Sequence, residues 1–184
     1  MKITYLFPVC ILAMLLTDCS SHELSRNTAL GLIKKEFSYP KVYDWNIFTG
    51  DPEQAKKILD AGLEKQGYAV VQRTQRMADI GKPWVTLTEK SKEFWLPTKE
   101  EDKKVLIQKV RAGEEDIAAI TSIKLIGKGK KAVVEYTTEF RNLTPFAVLA
   151  QLQATRVNTY KAYFSLTADG WRIEKKPDLD FLTE

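Results

Sequence analysis

Apolar positions along the chain follow three successive rhythms: one unbroken run, then helical spacing, then strict alternation. The unbroken run, Ile3 to Leu16, is about 14 residues long and is preceded by the single charge of Lys2. Beyond it, Leu30, Ile33 and Phe37 recur at three- and four-residue intervals with Ala29 beside them. That spacing predicts a helix from Arg26 to about Phe37, capped by Ser25. Lys34 and Lys35 fall near its C-terminal end, where cations suit the helix dipole. Tyr39-Pro40 ends it, because the residue before a proline disfavours the helical region. Val42 to Phe48 then alternates, with Tyr43, Trp45 and Ile47 on one side of a short strand.

A second helix is announced by Asp51 as cap, Pro52 at the first position and Gln54 at the capping-box position. Ala55, Ile58, Leu59, Gly62 and Leu63 make a one-sided apolar face, and Gly67 is expected to stop the helix. Tyr68–Thr74 and Trp84–Thr88 read as strands around a loop, Gln75–Pro83, and Glu89–Leu96 reads as a short helix. Thr98 and Glu101 carry a helix-cap signal, but Lys104–Arg111 is rich in Val and Ile and is expected to be a strand. Lys103, Lys104, Lys109 and Arg111 would then guard its edge. Glu114-Glu115-Asp116 is the densest acidic cluster. Adjacent side chains in a turn diverge, so a solvated loop tip is expected there rather than an acid–base pair.

The C-terminal half carries the strongest pattern. Ile117–Ile126 leads into a turn at Gly127-Lys128-Gly129-Lys130-Lys131. Ala132, Val134, Tyr136, Thr138 and Phe140 then face one way, and their neighbours face the other. Asn142–Pro145 breaks that strand, Thr144-Pro145 can open a short helix through Leu152, and Val157–Thr167 is a further strand. Ala168-Asp169-Gly170 is a hairpin turn before Trp171 and Ile173. The fold class is therefore α+β: N-terminal helices with a small hairpin, followed by an antiparallel meander with a short helix.

Two resemblances accompany this reading. "ILDAGLEKQGYAVV…VTLTEKSKEF", through Leu63, Gly67, Leu87, Thr88, Glu89 and Lys90, resembles the helix, wing and following segment of winged-helix proteins, with Ser91 where a glycine is usual. It implies DNA binding by the helix and a basic wing of Arg73, Arg76 and Lys82. A packing unit without a DNA role is the reading preferred behind an export signal. The C-terminal meander is similar to cystatin-like and nuclear-transport-factor-like domains, in which a curved sheet wraps a helix. That likeness implies a concave pocket lined by Tyr136, Phe140, Tyr160, Phe164 and Trp171, although aromatics at strand spacing more often form plain core.

The opening run is too short for the roughly 20 residues a membrane-spanning helix needs. A charged start, a short apolar core and a following polar turn have the anatomy of an export signal. Leu16-Thr17-Asp18-Cys19 resembles the lipobox of bacterial lipoproteins, with Asp18 where a small residue is usual. The resemblance implies cleavage after Asp18 and acylation of Cys19. Ser20 would favour the outer membrane on the periplasmic side. The chain then divides into a signal (1–18), a tether (19–24), a helical region (25–100) and a sheet region (101–184).

Composition narrows the chemistry. The net charge is +4, and losing Lys2 and Asp18 leaves it unchanged. With Cys10 discarded and Cys19 acylated, no thiol pair remains, so packing must stabilise the fold. The one histidine, His22, lies beside the anchor, which rules out a histidine-based triad or multi-histidine metal site within the fold. No catalytic set, metal site or cofactor motif is expected. The sequence points to a non-enzymatic envelope protein contacting the membrane through lipid and an unidentified protein or small molecule, not nucleic acid. A carboxylate-based enzyme or small-ligand binder using the curved sheet, and a cytoplasmic winged-helix protein, are the alternatives.

Overall fold

The structure is a computed structural model describing residues 23–181; Cys10, Cys19, His22 and the signal segment lie outside them. The first helix forms where its cap dictates. Ser25 accepts from the Thr28 amide, α1 runs Arg26–Phe37, and Ser38 closes it at φ 55° by donating its amide to the Lys34 carbonyl. Asp51 accepts from the Glu53 amide and Pro52 opens α2, Pro52–Asp60.

This second helix is shorter than its apolar face suggests. Gly62, at φ +70°, bends the chain, and hydrogen-bonded turns carry it on to Gly67. The left-handed region is cheap only without a Cβ, so Gly62, not Gly67, breaks the helix. Leu63 nevertheless buries in the same cluster as Ile58. Gln54 does not complete a capping box; its Oε1 is buried with no hydrogen-bond partner.

The described residues form seven strands interspersed with the helices: β1 (Lys41–Phe48) between α1 and α2, then β2 (Ala69–Val71), β3 (Val85–Leu87), β4 (Ile107–Ile126), β5 (Lys131–Arg141), β6 (Val157–Thr167) and β7 (Gly170–Ile173), with a short helix α3 (Glu100–Lys104) before β4. Five of them make one antiparallel sheet in the order β1-β4-β5-β6-β7, and β2 with β3 makes a separate hairpin. The main sheet draws on both the 25–100 and the 101–184 segments, because β1 pairs with β4. Register shifts at Tyr43/Asp44, Ile117/Ala119 and Ile120/Ser122 curl it. Glu89–Phe94 and Pro145–Val148 are 3₁₀ turns where short helices are expected, the second capped by Thr144 accepting from the Phe146 amide.

The largest correction concerns β4. Lys104 belongs to α3, and Glu114-Glu115-Asp116 lies inside a 20-residue strand rather than at a loop tip. Pairing on both sides outweighs the poor strand propensity of acidic residues: Glu114 and Glu115 face Val42 and Lys41 of β1 and Arg141 and Phe140 of β5. The lysine-rich start of β4 is not an edge either. β1 flanks one side, while on the other the Leu96 amide donates to the Lys109 carbonyl and the Lys109 amide to Thr98 Oγ1, both at 3.0 Å.

Two hydrophobic clusters hold the fold. In the first, Leu24, Ala29 and Ile33 pack against Ile117, Ile120, Val134, Ala162 and Phe164. In the second, α2 and the β2–β3 hairpin close over Ile47, Val110 and Phe146, with Tyr68 and Phe94 edge-on to the Phe146 ring at 6.0 and 5.9 Å. The protein is thus α+β, a curled antiparallel sheet with a few helices. Among the described residues no helix is long and apolar enough to cross a membrane. Phe146→Ala should cost about 3–5 kcal/mol and Ile33→Ala about 2–5 kcal/mol in urea unfolding. Val70→Ala, at a position 56% exposed, should stay within about 0.5 kcal/mol.

Candidate functional site

Among the described residues, one charged side chain of the curled sheet, that of Glu115, is fully buried. Glu115 is only 2% exposed, although carboxylates are seldom buried without a partner. Strand alternation puts it there: it shares parity with Ile117, and its ladder partner Phe140 lies on the buried face of β5. Its neighbours point elsewhere. Glu114 accepts from Asn142 at 2.8 Å, and Asp116 pairs with Lys34 at 3.0 Å and Arg141 at 3.9 Å.

Neutral donors surround Glu115. Thr138 Oγ1 donates to its Oε1 at 2.5 Å, and Asn158 Nδ2 and the Tyr160 hydroxyl reach the same oxygen at 3.3 Å. Short O–H···O⁻ contacts of the Thr138 kind are charge-assisted and among the stronger hydrogen bonds. Register makes this convergence possible, since Thr138 sits opposite both Asn158 of β6 and Ile117 of β4.

Aromatic rings pack around this centre. Tyr136 stacks on Tyr160 at 5.6 Å, Tyr39 meets Tyr136 edge-on at 6.3 Å, and Tyr43 meets Phe140 edge-on at 5.1 Å. Lys41 sits over the Tyr39 ring at 4.3 Å. Burial first, and the Glu115 charge as a further cause, push the Tyr136, Tyr160 and Tyr43 hydroxyls above their usual range, with Arg156 opposing the rise at Tyr43. Tyr39 is raised most, by burial and by its hydrogen bond to Tyr136. All four phenols are therefore neutral donors at physiological pH, and the arrangement presents fixed dipoles to a carboxylate rather than a ready proton source.

Three of the five aromatic residues expected to line a pocket gather here: Tyr136, Phe140 and Tyr160. Phe164 is fully buried in the cluster beneath α1, and Trp171 packs against that cluster from the side. Glu115, expected at a solvated loop tip, Tyr43, expected on a strand face, and Tyr39, expected at a helix end, are the site residues that the sequence does not assign to a pocket; the parity of Glu115 with Ile117 is the signal that points to the first. Among the described residues no three His, Cys, Asp or Glu side chains come together as a metal-ligand set.

Raised phenol values carry a definite sign. Groups whose folded value lies above the unfolded one lend stability below about pH 10, the ordinary phenol value, and lose it as pH rises beyond. Urea midpoints should hold up to about pH 10 and fall above it, and the fall should shrink in Tyr39→Phe and Tyr160→Phe. An undiminished fall in both variants would dissociate it from this cluster. Glu115→Ala should cost about 1–3 kcal/mol by stranding the buried Thr138 hydroxyl and loosening Asn158 and Tyr160, and Glu115→Gln less, because an amide oxygen still accepts.

No protein-family model, curated protein or solved structure matches the chain.

Proposed function

We propose that the protein is an exported component of the bacterial cell envelope, lipid-anchored at Cys19 and acting by binding or assembly rather than catalysis. The front of the chain supports the compartment: a charged start, a short apolar core and Leu16-Thr17-Asp18-Cys19 before a polar stretch. Acylation with two or more chains makes such an attachment stable, whereas one chain holds only marginally. Ser20 after the cysteine favours the periplasmic face of the outer membrane.

One observation carries the binding reading. The sheet face that carries Glu115, where a curved-sheet enzyme would hold a reacting ligand, is filled by the protein itself. The first helix covers one end, and Thr138, Asn158 and Tyr160 already occupy the Glu115 carboxylate in the middle. A substrate would have to displace those donors. The α1-covered antiparallel sheet is in keeping with the cystatin-like and nuclear-transport-factor-like resemblance. Residues 52–95, a helix followed by a hairpin, serve in this reading as a packing unit, with Arg73 paired to Glu64 and Lys82 to Asp79 instead of offered to phosphates.

A second reading is favoured by the half-exposed Tyr43 and Tyr160 above the buried carboxylate, 37% and 39% exposed. Rotation of those rings would admit a small polar ligand, or a carboxylate-dependent reaction, at Glu115. Cells fed an alkyne-tagged fatty acid decide the anchor. Label and protein should co-fractionate with the outer membrane, and Cys19→Ala should lose both; equal labelling of the two proteins would remove it.

A further inference from the structure

From Leu24 onward the chain is part of the packed fold. Leu24 is 3% exposed, Ser25 caps α1, and Arg26 Nη1 donates to the Ile120 carbonyl at 2.5 Å. Leu24, Glu23 and Arg26 line a cleft whose opposite wall is Ile123 and Leu125 of β4. Only five residue steps separate Cys19 from Leu24. Fully extended, they span at most about 18 Å. A lipid on Cys19 therefore leaves this end of the fold little room to leave the bilayer surface.

The surface beside that exit point has a mixed apolar and basic character. Leu125 is 43% exposed, and the β4–β5 turn that follows carries exposed Lys128 and Lys130. Lys128 adopts φ 55° between Gly127 and Gly129, both also left-handed, so the turn is a tight tip. The opposing charge in the same cleft is the exposed Glu23, while Asp178 is taken by Lys131 at 2.9 Å and Glu135 lies in a separate cleft with Lys124 and Lys161. The balance remains cationic. Polybasic segments held next to a membrane are drawn to anionic headgroups, and an exposed leucine among them can enter the headgroup boundary.

We infer that the β4–β5 tip, with Leu125, Lys128 and Lys130, is a second membrane contact that seats this end of the sheet on anionic phospholipid. The inference rests on the Cys19 anchor. It commits the opposite end, the β2–β3 hairpin, to face away. That hairpin joins the fold through the Val85 amide and the Thr49 carbonyl, and the Thr49 amide in turn reaches Leu106 at the far start of β4.

The test uses the acylated full-length product purified from host membranes, carrying an environment-sensitive fluorophore at Leu125→Cys or, as the control, at Met77→Cys in the hairpin loop. Each is placed in vesicles of phosphatidylcholine alone or mixed equally with phosphatidylglycerol, with quenchers borne on the lipid. The probe at 125 should be quenched several-fold more than the probe at 77 in the anionic vesicles. Lys128→Glu with Lys130→Glu, or raised salt, should relax that quenching while the protein still floats with the vesicles. Equal quenching at the two positions, or quenching indifferent to charge reversal, overturns the contact and leaves the anchor standing. Protein that neither carries acyl label nor floats overturns the anchor, and the contact with it.

Discussion

A single buried carboxylate ties four strands together. Glu115 belongs to β4, its hydrogen bonds come from Thr138 of β5 and Asn158 and Tyr160 of β6, and its ladder partners are Lys41 of β1 and Phe140 of β5. It stands at the stretch where β4 is paired with β1 and β5 at once. A charge withdrawn from water is tolerable only when its lone pairs are met by fixed donors. That requirement specifies the register of every neighbouring strand, because a one-residue slip would turn Thr138 or Asn158 to the other face.

Sequence legibility followed the strength of local rules. Ser25, Asp51 and Pro52 name their helix starts because capping is decided within three residues. The β5 face from Ala132 to Phe140 is legible because alternation over a half-buried strand survives any tertiary context. The β4 strand was not legible as one element. Its acidic centre and lysine-rich start read as loop and edge, and only partners far along the chain, Lys41, Arg141 and Phe140, make a strand of them. The end of α2 was misjudged for a related reason: the apolar face continues to Leu63, but the backbone turns at Gly62 and delivers that side chain to the core by another route.

The expected pocket residues divide for a physical reason as well. Tyr136, Phe140, Tyr160 and Phe164 share a face of the sheet, yet α1 covers only part of it. Phe164 falls under the helix and becomes core, whereas Tyr160 falls beyond it and stands half exposed. Periodicity along a strand tells which face a residue occupies. It does not tell how far along that face a helix from elsewhere in the chain will reach.

The first hydrophobic cluster runs into this polar seam through Tyr39 and Tyr136, the second does not, and the two recruit different elements: α1 with β6 and β7 in one, α2 with the hairpin and the Pro145–Val148 turn in the other. Cooperativity is carried by contiguous apolar packing, and here it is interrupted. The hairpin half is therefore packed through an apolar group that shares no buried residue with the group beneath α1, and the two are joined mainly through the continuous strand β4.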